Sequence, residues 1–305
     1  MKNKKIGIVI VTYNRLSCLK ECIEKVFSQK RKYDCVIIID NKSTDGTAEY
    51  LDSVNGIIVR HMAKNLGGAG GFYTGVKEAK KQECDWCTLI DDDAMLNDNF
   101  LYNLEKWQIS HNDILALNPQ VITENNISED YSRRYHFDKK LNKYYEWFVP
   151  IDEYNKESFE CDLVTFCGLT FNLGLVEKIG YPKKEMFIFY DDTEYSLRLR
   201  KYTKIYTVCS AVINHKKMLK IEVKKEKDNI LSYATFWRRY YAVRNKIYML
   251  KKHFGYMIAW NYACFIFRPF LQRIVYNQRV KMERYVIISA IVDGLLGRLG
   301  HRFGP

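Results

Sequence analysis

Four short apolar runs alternate with segments of helical periodicity over the first 90 residues of the chain. The runs are residues 6–11, 35–39, 57–59 and 87–90. Each contains β-branched residues and is followed by polar ones, as is typical of buried strands. After the first run, Leu16, Leu19 and Ile23 recur at the spacing of one helix face. This alternation predicts an α/β fold whose sheet is mostly parallel and covered by helices on both faces.

Three consecutive carboxylates, Asp91, Asp92 and Asp93, follow the fourth run directly. Such residues repel one another and are rarely kept together without a compensating cation. Because side chains alternate along an extended chain, we expect Asp91 and Asp93 on one face and Asp92 on the other. An Asp-x-Asp pair at the carboxyl end of a parallel strand suits a divalent cation that carries a diphosphate. The alternative is an acidic turn that caps the next helix.

Polar residues also end the first two runs. Thr12 and Tyr13 follow the first run, and Asp40 follows the second. The carboxyl ends of parallel strands meet at one edge of a sheet, so these residues are expected near Asp91. Asp40 would accept hydrogen bonds from a base or ribose. Each is a weak signal alone, but together they predict a nucleotide pocket.

A glycine-rich segment, residues 65–71, has four glycines in the five positions from Gly67 to Gly71. It is expected to be a turn that opens a helix reaching about Lys81. Glycine permits close backbone approach, and a helix N-terminus offers N–H groups to anions, which favours ligand contact over a plain loop. It is not a Walker loop, because no Gly-Lys-Ser/Thr follows.

A second acidic group, Asp191, Asp192 and Glu194, stands at the head of a predicted helix. Asp191 as N-cap with Glu194 three residues on would form a capping arrangement and leave Asp192 facing the sheet edge. Asp192 could then accept a proton from an attacking hydroxyl, or all three acids could only complement the helix dipole. His215, after the predicted strand 205–213, is either a metal ligand or a solvated side chain.

The positive charge is concentrated at the C-terminal end. Residues 216–305 hold 19 Lys/Arg and 5 Asp/Glu, a balance of +14, whereas residues 1–215 have a balance of −2. The expected division is a catalytic domain at 1–220 and a basic, aromatic helical region at 221–305. The stretch 237–246 would be either a helix packed on the domain or a membrane-binding one. The apolar stretch 255–267 is too short to span a bilayer, so it is expected in the interface of an anionic membrane.

The cysteine pattern and the N-terminal sequence predict where the protein is located in the cell. The nine cysteines show no disulfide framework, and no secretory signal is apparent, so we expect a reducing cytoplasmic location. No nucleic-acid-reading motif is apparent, so nucleic acid is not an expected partner.

The chain resembles the inverting GT-A glycosyltransferases of family 2. The motifs are residues 11–15 (VTYNR), 40–47 (DNKSTDGT), 65–71 (NLGGAGG) and the Asp triplet. Residues 190–195 (YDDTEY) and the double-glycine loop look like the bacterial galactofuranosyltransferase and rhamnosyltransferase branch. The resemblance implies a Rossmann-like GT-A fold followed by the basic helical region.

The resemblance also implies roles for individual residues. Asp91, Asp93 and His215 would bind Mn²⁺ or Mg²⁺, and Asp192 would be the catalytic base. The nucleotide-sugar donor would be held by Thr12, Tyr13, Asn14, Arg15, Asp40, Asn65, Gly67, Gly68, Asp91 and Asp92.

The expected function is inverting transfer of a sugar onto a glycan or lipid-linked glycan in cell-surface polysaccharide synthesis, on the inner face of the cell membrane. The favoured donor is UDP-galactofuranose, and the alternative is dTDP-rhamnose. Two other classes are a sugar nucleotidyltransferase and a non-catalytic protein that binds anionic surfaces. The first lacks its glycine-rich loop after residue 11, and the second leaves the acidic motifs unexplained.

Overall fold

A mixed sheet occupies the centre of the computed structural model, which describes residues 1, 4–123, 126–127, 134–140, 143–216, 233–271 and 278–304. In chain order the strands are β1 (Ile6–Thr12), β2 (Cys35–Asp40), β3 (Ile58–His61), β4 (Trp86–Asp91), β5 (Ala94–Leu96), β6 (Ala116–Thr123), β7 (Asn126–Ile127), β8 (Tyr135–Lys140), β9 (Lys143–Phe148), β10 (Ser158–Cys161), β11 (Leu169–Asn172) and β12 (Ile205–His215). All four apolar runs of the first 90 residues therefore form strands, as predicted.

The main sheet has the order β10-β12-β6-β11-β4-β1-β2-β3, with β5 added to β12 and β7 to β6. Strands β1, β2, β3 and β4 are parallel to their neighbours in this group, and β6 is parallel to β12. The antiparallel strand β11 separates the two parallel groups, and β10 is an antiparallel edge. Strands β8 and β9 form a separate hairpin.

Helices cover both faces of the sheet, which confirms the predicted fold class. They are α1 (Leu16–Phe27), α2 (Thr47–Ser53), α3 (Gly67–Lys81), α4 (Phe100–Ser110), α5 (Val176–Ile179), α6 (Asp191–Leu199), α7 (Tyr233–Phe254), α8 (Tyr256–Leu271) and α9 (Gln278–Leu296). Leu19 of α1 and Leu104 of α4 are buried on one face. Phe72 of α3 and Tyr195 of α6 are buried on the other.

Helix α3 packs unusually close to strand β1. A Cβ added to Gly75 would lie 2.1 Å from Cγ1 of Val9, and one added to Gly71 would lie 2.4 Å from Cγ1 of Val11. The sequence predicted a turn at residues 65–71 that opens the helix. The helix already begins at Gly67, so the glycines form its first turns. Part of the glycine density therefore serves helix–strand packing, for which a side chain would leave no room.

The C-terminal helices pack against the rest of the chain. Helices α7, α8 and α9 share a hydrophobic cluster with Leu163, Phe187 and Leu197. The sequence left two alternatives for residues 237–246, a helix packed on the domain or a membrane-binding helix. Tyr240 and Tyr241 are buried, which favours the packed helix. Helix α8 continues past the apolar stretch 255–267 and through Pro269 to Leu271. The predicted domain boundary near residue 220 lies outside the described residues.

Within the described ranges, none of the helices is both long and apolar enough to cross a membrane.

A buried carboxylate ties α6 to α7. Glu194 accepts hydrogen bonds from Nε of Arg198 at 2.9 Å and from Nζ of Lys252 at 2.6 Å, and Nε2 of His253 lies 3.1 Å away. Its side chain is fully buried. Burial opposes the charge, but the hydrogen bond with His253 and the charges of Arg198 and Lys252 outweigh it and lower the pKa of Glu194 to about 2. This residue is thus an ion-pair partner and not the capping residue predicted.

We expect Glu194→Gln to lower the free energy of unfolding by about 3–5 kcal/mol at pH 7, because it leaves buried cations without their carboxylate. Because the folded pKa is depressed, the ionised form stabilises the protein fully above about pH 4.5, and this contribution is lost as the pH falls towards 2. The difference between wild type and variant should therefore shrink between pH 7 and pH 3 in urea unfolding. Glu160→Gln, which breaks an exposed pair with Lys204, is the control and should change stability by less than about 1 kcal/mol. Equal stability of the Glu194 variant and wild type at pH 7 would contradict the assignment.

Candidate active site

A pocket of about 500 Å³ opens at the carboxyl ends of β1 and β4. It is lined by most of the residues predicted from sequence, namely Thr12, Tyr13, Arg15, Asn65, Gly67, Gly68, Asp91, Asp92 and Asp192. Residues from the first half of the chain and from the head of α6 thus line one cavity. The predicted residues Asn14, Asp40, Asp93 and His215 are not part of its lining.

Asn14 and Asp40 hold the loops behind the pocket. Asn14 has a left-handed backbone, with φ of 53°, and its Oδ1 accepts a hydrogen bond from N of Thr44 at 2.7 Å. Asp40 is buried, accepts from N of Ser43 at 2.8 Å and lies 2.9 Å from Nδ1 of His61. Each Asp40 oxygen thus has a partner within the protein, and the contact of Asp40 with a nucleoside stays a prediction. Asn41, the next residue, lines the pocket instead.

The Asp triplet does not alternate as an extended strand would. Strand β4 ends at Asp91, and the chain turns at Asp92 and Asp93. Nη1 of Arg15 lies 3.1 Å from Oδ1 of Asp92 and 2.7 Å from Oδ2 of Asp93. Asp91 and Asp92 line the pocket, so the predicted pairing of Asp91 with Asp93 on one face is wrong. The alternation rule applies only while the backbone remains extended.

Asp92 is buried against the first strand. Its Oδ2 accepts a hydrogen bond from Oγ1 of Thr12 at 2.7 Å. Burial outweighs this hydrogen bond and the charge of Arg15, and it raises the pKa of Asp92 to about 6. Thr12 was predicted to contact the nucleotide sugar, and its hydroxyl also fixes the carboxylate of Asp92 in the pocket.

Asp93 turns away from the pocket towards the end of β12. Its Oδ1 lies 3.3 Å from Nε2 of His215. That oxygen is buried and accepts no hydrogen bond from the described residues. A buried carboxylate oxygen beside an imidazole nitrogen fits a divalent cation. Among the residues that the structure describes, no group of three or more His, Cys, Asp or Glu converges to hold a metal alone. A cation here would therefore need oxygens from a bound diphosphate, as is usual for Mg²⁺ sites.

The second acidic group meets the pocket at the start of α6. Tyr190 takes the N-cap position, with φ of 64°, and makes no side-chain capping hydrogen bond. The prediction that Asp191 caps the helix is therefore wrong, because Asp191 is already its first residue. Burial and the charge of Asp192 raise the pKa of Asp191 well above its usual range. Asp192 is half-buried and lines the pocket, and its Oδ1 accepts from N of Thr193 at 2.6 Å.

Several pocket residues were missed from sequence. Asn41 donates from Nδ2 to O of Gly67 at 2.9 Å and accepts from N of Leu66 at 2.9 Å, which joins the loop after β2 to the start of α3. Trp237 and Arg238 reach the pocket from α7, which sequence analysis placed in a separate region. Their aromatic and basic character was visible, but their position depends on how α7 packs.

Gly67 marks the point where two walls of the pocket meet. Its φ is +69°, and a Cβ there would lie 2.0 Å from the carbonyl oxygen of Phe187. N of Ala69 donates to the same oxygen at 3.1 Å. The start of α3 is thereby fixed against the segment that leads into α6.

Comparison with known protein families gives one family match. A model described as glycosyl transferase family 2 matches residues 7–178, more than half of the chain. The matched range contains all of β1 except Ile6, together with β2, β4 and the Asp triplet.

Two curated proteins that are similar to this chain have names that refer to different sugars. The galactofuranosyltransferase GlfT1 of Mycolicibacterium smegmatis is 27% identical over 200 residues, which is 63% of this chain and 64% of that protein. The match therefore spans less than two thirds of the relative's length. The dTDP-rhamnosyl transferase RfbF of Shigella flexneri is 22% identical over 302 residues, 98% of each chain.

A solved structure supports the fold. GalNAc-T7, crystallised with UDP, GalNAc and Mn²⁺, superposes with a TM-score of 0.62 at 16% identity, covering 92% of this chain and 54% of that one. At this identity the likeness concerns the fold alone.

If Asp93 helps to hold a cation, Asp93→Asn should weaken binding of Mn²⁺ to the protein mixed with UDP by at least about tenfold, since loss of a metal-site contact commonly costs that much. Electron paramagnetic resonance of unbound Mn²⁺ measures this directly. Asp138→Asn, which alters an exposed carboxylate paired with Lys140, should leave binding unchanged. Wild-type affinity in the Asp93 variant would remove Asp93 from the metal site.

Proposed function

This chain belongs to glycosyl transferase family 2, and from that premise we propose that it transfers a sugar from a nucleotide-sugar donor to an acceptor hydroxyl with inversion at the anomeric carbon. The observation that carries the proposal is that Asp91, Asp92 and Asp192 line one cavity although they are about 100 residues apart in sequence. Asp91 ends β4 and Asp192 lies in the first turn of α6, so we assign the diphosphate to the β4 side of the cavity and the acceptor to the α6 side.

Asp192 acts as the base in this proposal. Its carboxylate takes the proton of the acceptor hydroxyl while the oxygen attacks the anomeric carbon. The bond from that carbon to the diphosphate oxygen breaks on the opposite face, so one displacement inverts the configuration. Burial and the charge of Asp192 raise the pKa of Asp191 well above its usual range, so the charged form of Asp191 is disfavoured beside Asp192.

The donor's diphosphate lies at the β4 end of the cavity in this proposal. The start of α3, where Gly68 lines the cavity, offers backbone amide groups to an anion there. Asp93 and His215, completed by oxygens of the diphosphate, would hold Mn²⁺ or Mg²⁺, which when bound neutralises the charge of the leaving diphosphate. The buried Oδ1 of Asp93, which faces Nε2 of His215, supports this assignment.

For the donor we propose UDP-galactofuranose, in keeping with the GlfT1 relative and the sequence motifs. The alternative, dTDP-rhamnose, is favoured by a different observation, the match to RfbF over nearly the whole chain. A panel of nucleotide sugars with Mn²⁺, assayed by release of nucleoside diphosphate, distinguishes the two.

The acceptor is proposed to be a glycan or lipid-linked glycan that enters beside α7. Trp237 and Phe189 line the pocket, and Phe189 and Tyr13 are exposed enough to stack on sugar rings.

A membrane surface is the proposed location of the enzyme, on the cytoplasmic side. Helix α8 exposes Tyr256, Met257, Trp260 and Phe265, of which Phe265 is 69% exposed. A groove of about 400 Å³ between α8 and the β8–β9 hairpin adjoins them. A helix with an exposed apolar stripe next to basic residues is suited to lie in the interface of an anionic bilayer.

Asp192→Asn is expected to lower the rate of sugar transfer by about 10²–10⁴-fold, the usual worth of a general base. Binding of UDP with Mn²⁺, measured by calorimetry, should stay close to wild type because the nucleotide end of the cavity is unchanged. Glu177→Gln, an exposed acid on α5, is the control for a neutralised carboxylate. Normal turnover in the Asp192 variant would sink the assignment of the base.

The double variant Trp260→Glu with Phe265→Glu is expected to reduce binding to phosphatidylglycerol vesicles by at least about tenfold, because it removes two apolar anchors. Cosedimentation measures the bound fraction. Substitution is preferable to deleting residues 255–305, since α9 packs on α7 and its loss would disturb the fold. Ile109→Glu, an exposed apolar residue on α4, should have no effect. If the double variant binds vesicles as wild type does, α8 is not the membrane contact.

A further inference from the structure

The segment just before α6, residues 185–190 (the catalytic loop below), has a strained backbone. Phe187, Phe189 and Tyr190 have φ of 67°, 67° and 64°. Residues other than glycine rarely adopt this left-handed conformation. Three of them within four positions persist only when the surrounding structure imposes it. The loop leads directly into Asp191 and Asp192, so its conformation decides where those carboxylates lie.

Five consecutive carbonyls of the catalytic loop accept hydrogen bonds from outside it. The donors are Nη2 of Arg244 to Glu185 and Met186 (3.2 and 3.1 Å), N of Gly300 to Glu185 (2.8 Å), N of Ala69 to Phe187 (3.1 Å), and Nδ2 of Asn245 to Met186, Ile188 and Phe189 (2.9, 2.8 and 2.8 Å). Buried carbonyls need such partners. A single amide of α7 therefore serves three of the five, including both carbonyls nearest the strained pair Phe189 and Tyr190.

The amide of Asn245 is itself held in orientation. Its Oδ1 accepts from Nε of Arg244 at 2.9 Å, which directs Nδ2 towards the loop. Arg244 is fully buried, donates from Nη1 to O of Gly300 at 2.6 Å, and lies over the rings of Tyr240 and Tyr241. With Oδ1 taken by a fixed guanidinium, the amide has only its N–H groups left for the carbonyls.

We infer that Asn245, supported by Arg244, is a positioning residue for the transfer reaction. It holds the catalytic loop in its strained conformation and so sets Asp192 in the pocket. The inference rests on the proposed function, because it takes Asp192 as the base. It gives the C-terminal helical region a role in catalysis that is separate from any membrane contact.

Loss of the amide N–H groups removes the Asn245 donor from the carbonyls of Ile188 and Phe189, and the strained residues can then relax towards ordinary φ values. The start of α6 would move with them. A displacement of about 1 Å at a catalytic group is enough to slow a reaction by about 10²-fold.

Asn245→Asp tests this, because it keeps the shape and the Oδ1 acceptor but replaces the donor with a second oxygen. We expect transfer to slow by about 10²-fold, faster amide hydrogen exchange in residues 185–192, and a shifted acid limb in the pH profile of kcat. Val243→Ala, at a buried position of the same helix, is the control for a general loss of packing and should change none of the three beyond its effect on stability. If Asn245→Asp does not fold, Asn245→Ala provides the same comparison without a new charge.

Turnover and loop exchange like those of the Val243 control would overturn the positioning role. Slow turnover with unchanged exchange in 185–192 would overturn it as well, because the loop would still be held. The two failures are distinguishable: an active Asp192→Asn protein contradicts the proposed function, whereas a fully active Asn245→Asp protein contradicts the positioning role alone.

Discussion

Neutralising the buried carboxylates at the end of β4 is the constraint on which the pocket depends. Asp92 and Asp93 are 2% and 5% exposed, and ionised groups at such depth need a cation or several donors. Arg15 supplies the cation to both with one nitrogen, and Thr12 supplies a hydroxyl. Thr12 ends β1 and Arg15 precedes α1, three residues later. Strand β1 pairs with β4 so that Val11 lies opposite Asp91. The order of strands in the sheet is thus what allows the acids to be buried.

Local sequence patterns were enough to predict the first half of the fold. Apolar runs such as 35–39 and 87–90 predict strands, and the spacing of Leu16, Leu19 and Ile23 predicts α1. The insertion of β11 between β4 and β6 was not predictable in this way. Pairing between strands about 80 residues apart leaves no periodic signal in either strand, because it is selected by the packing of the whole sheet.

The errors in the site have a common physical origin. The prediction that the Asp triplet alternates between two faces was wrong because the chain turns at Asp92, where the carboxylate contacts Thr12 and Arg15. The capping role of Glu194 failed because Lys252 and His253, from a distant helix, offer it stronger partners. Motif reasoning identified which residue types the chemistry needs, and it placed most of them on the pocket. It could not identify the partners of each carboxylate, because these come from other parts of the chain.

The C-terminal region shows why net charge alone does not identify a partner. Much of its positive charge is used internally: Arg244 is enclosed by carbonyls and rings, Lys252 pairs with Glu194, and Arg302 pairs with Asp293. Charges engaged in this way attract an anionic surface less than the total of +14 suggests. The inner side of α7 instead contacts the catalytic loop. Exposed apolar residues lie on both α8 and α9, and the most exposed of them, Phe265, is on α8. Attachment to a membrane would therefore depend mainly on the aromatic stripe of α8, and the basic residues would add to it.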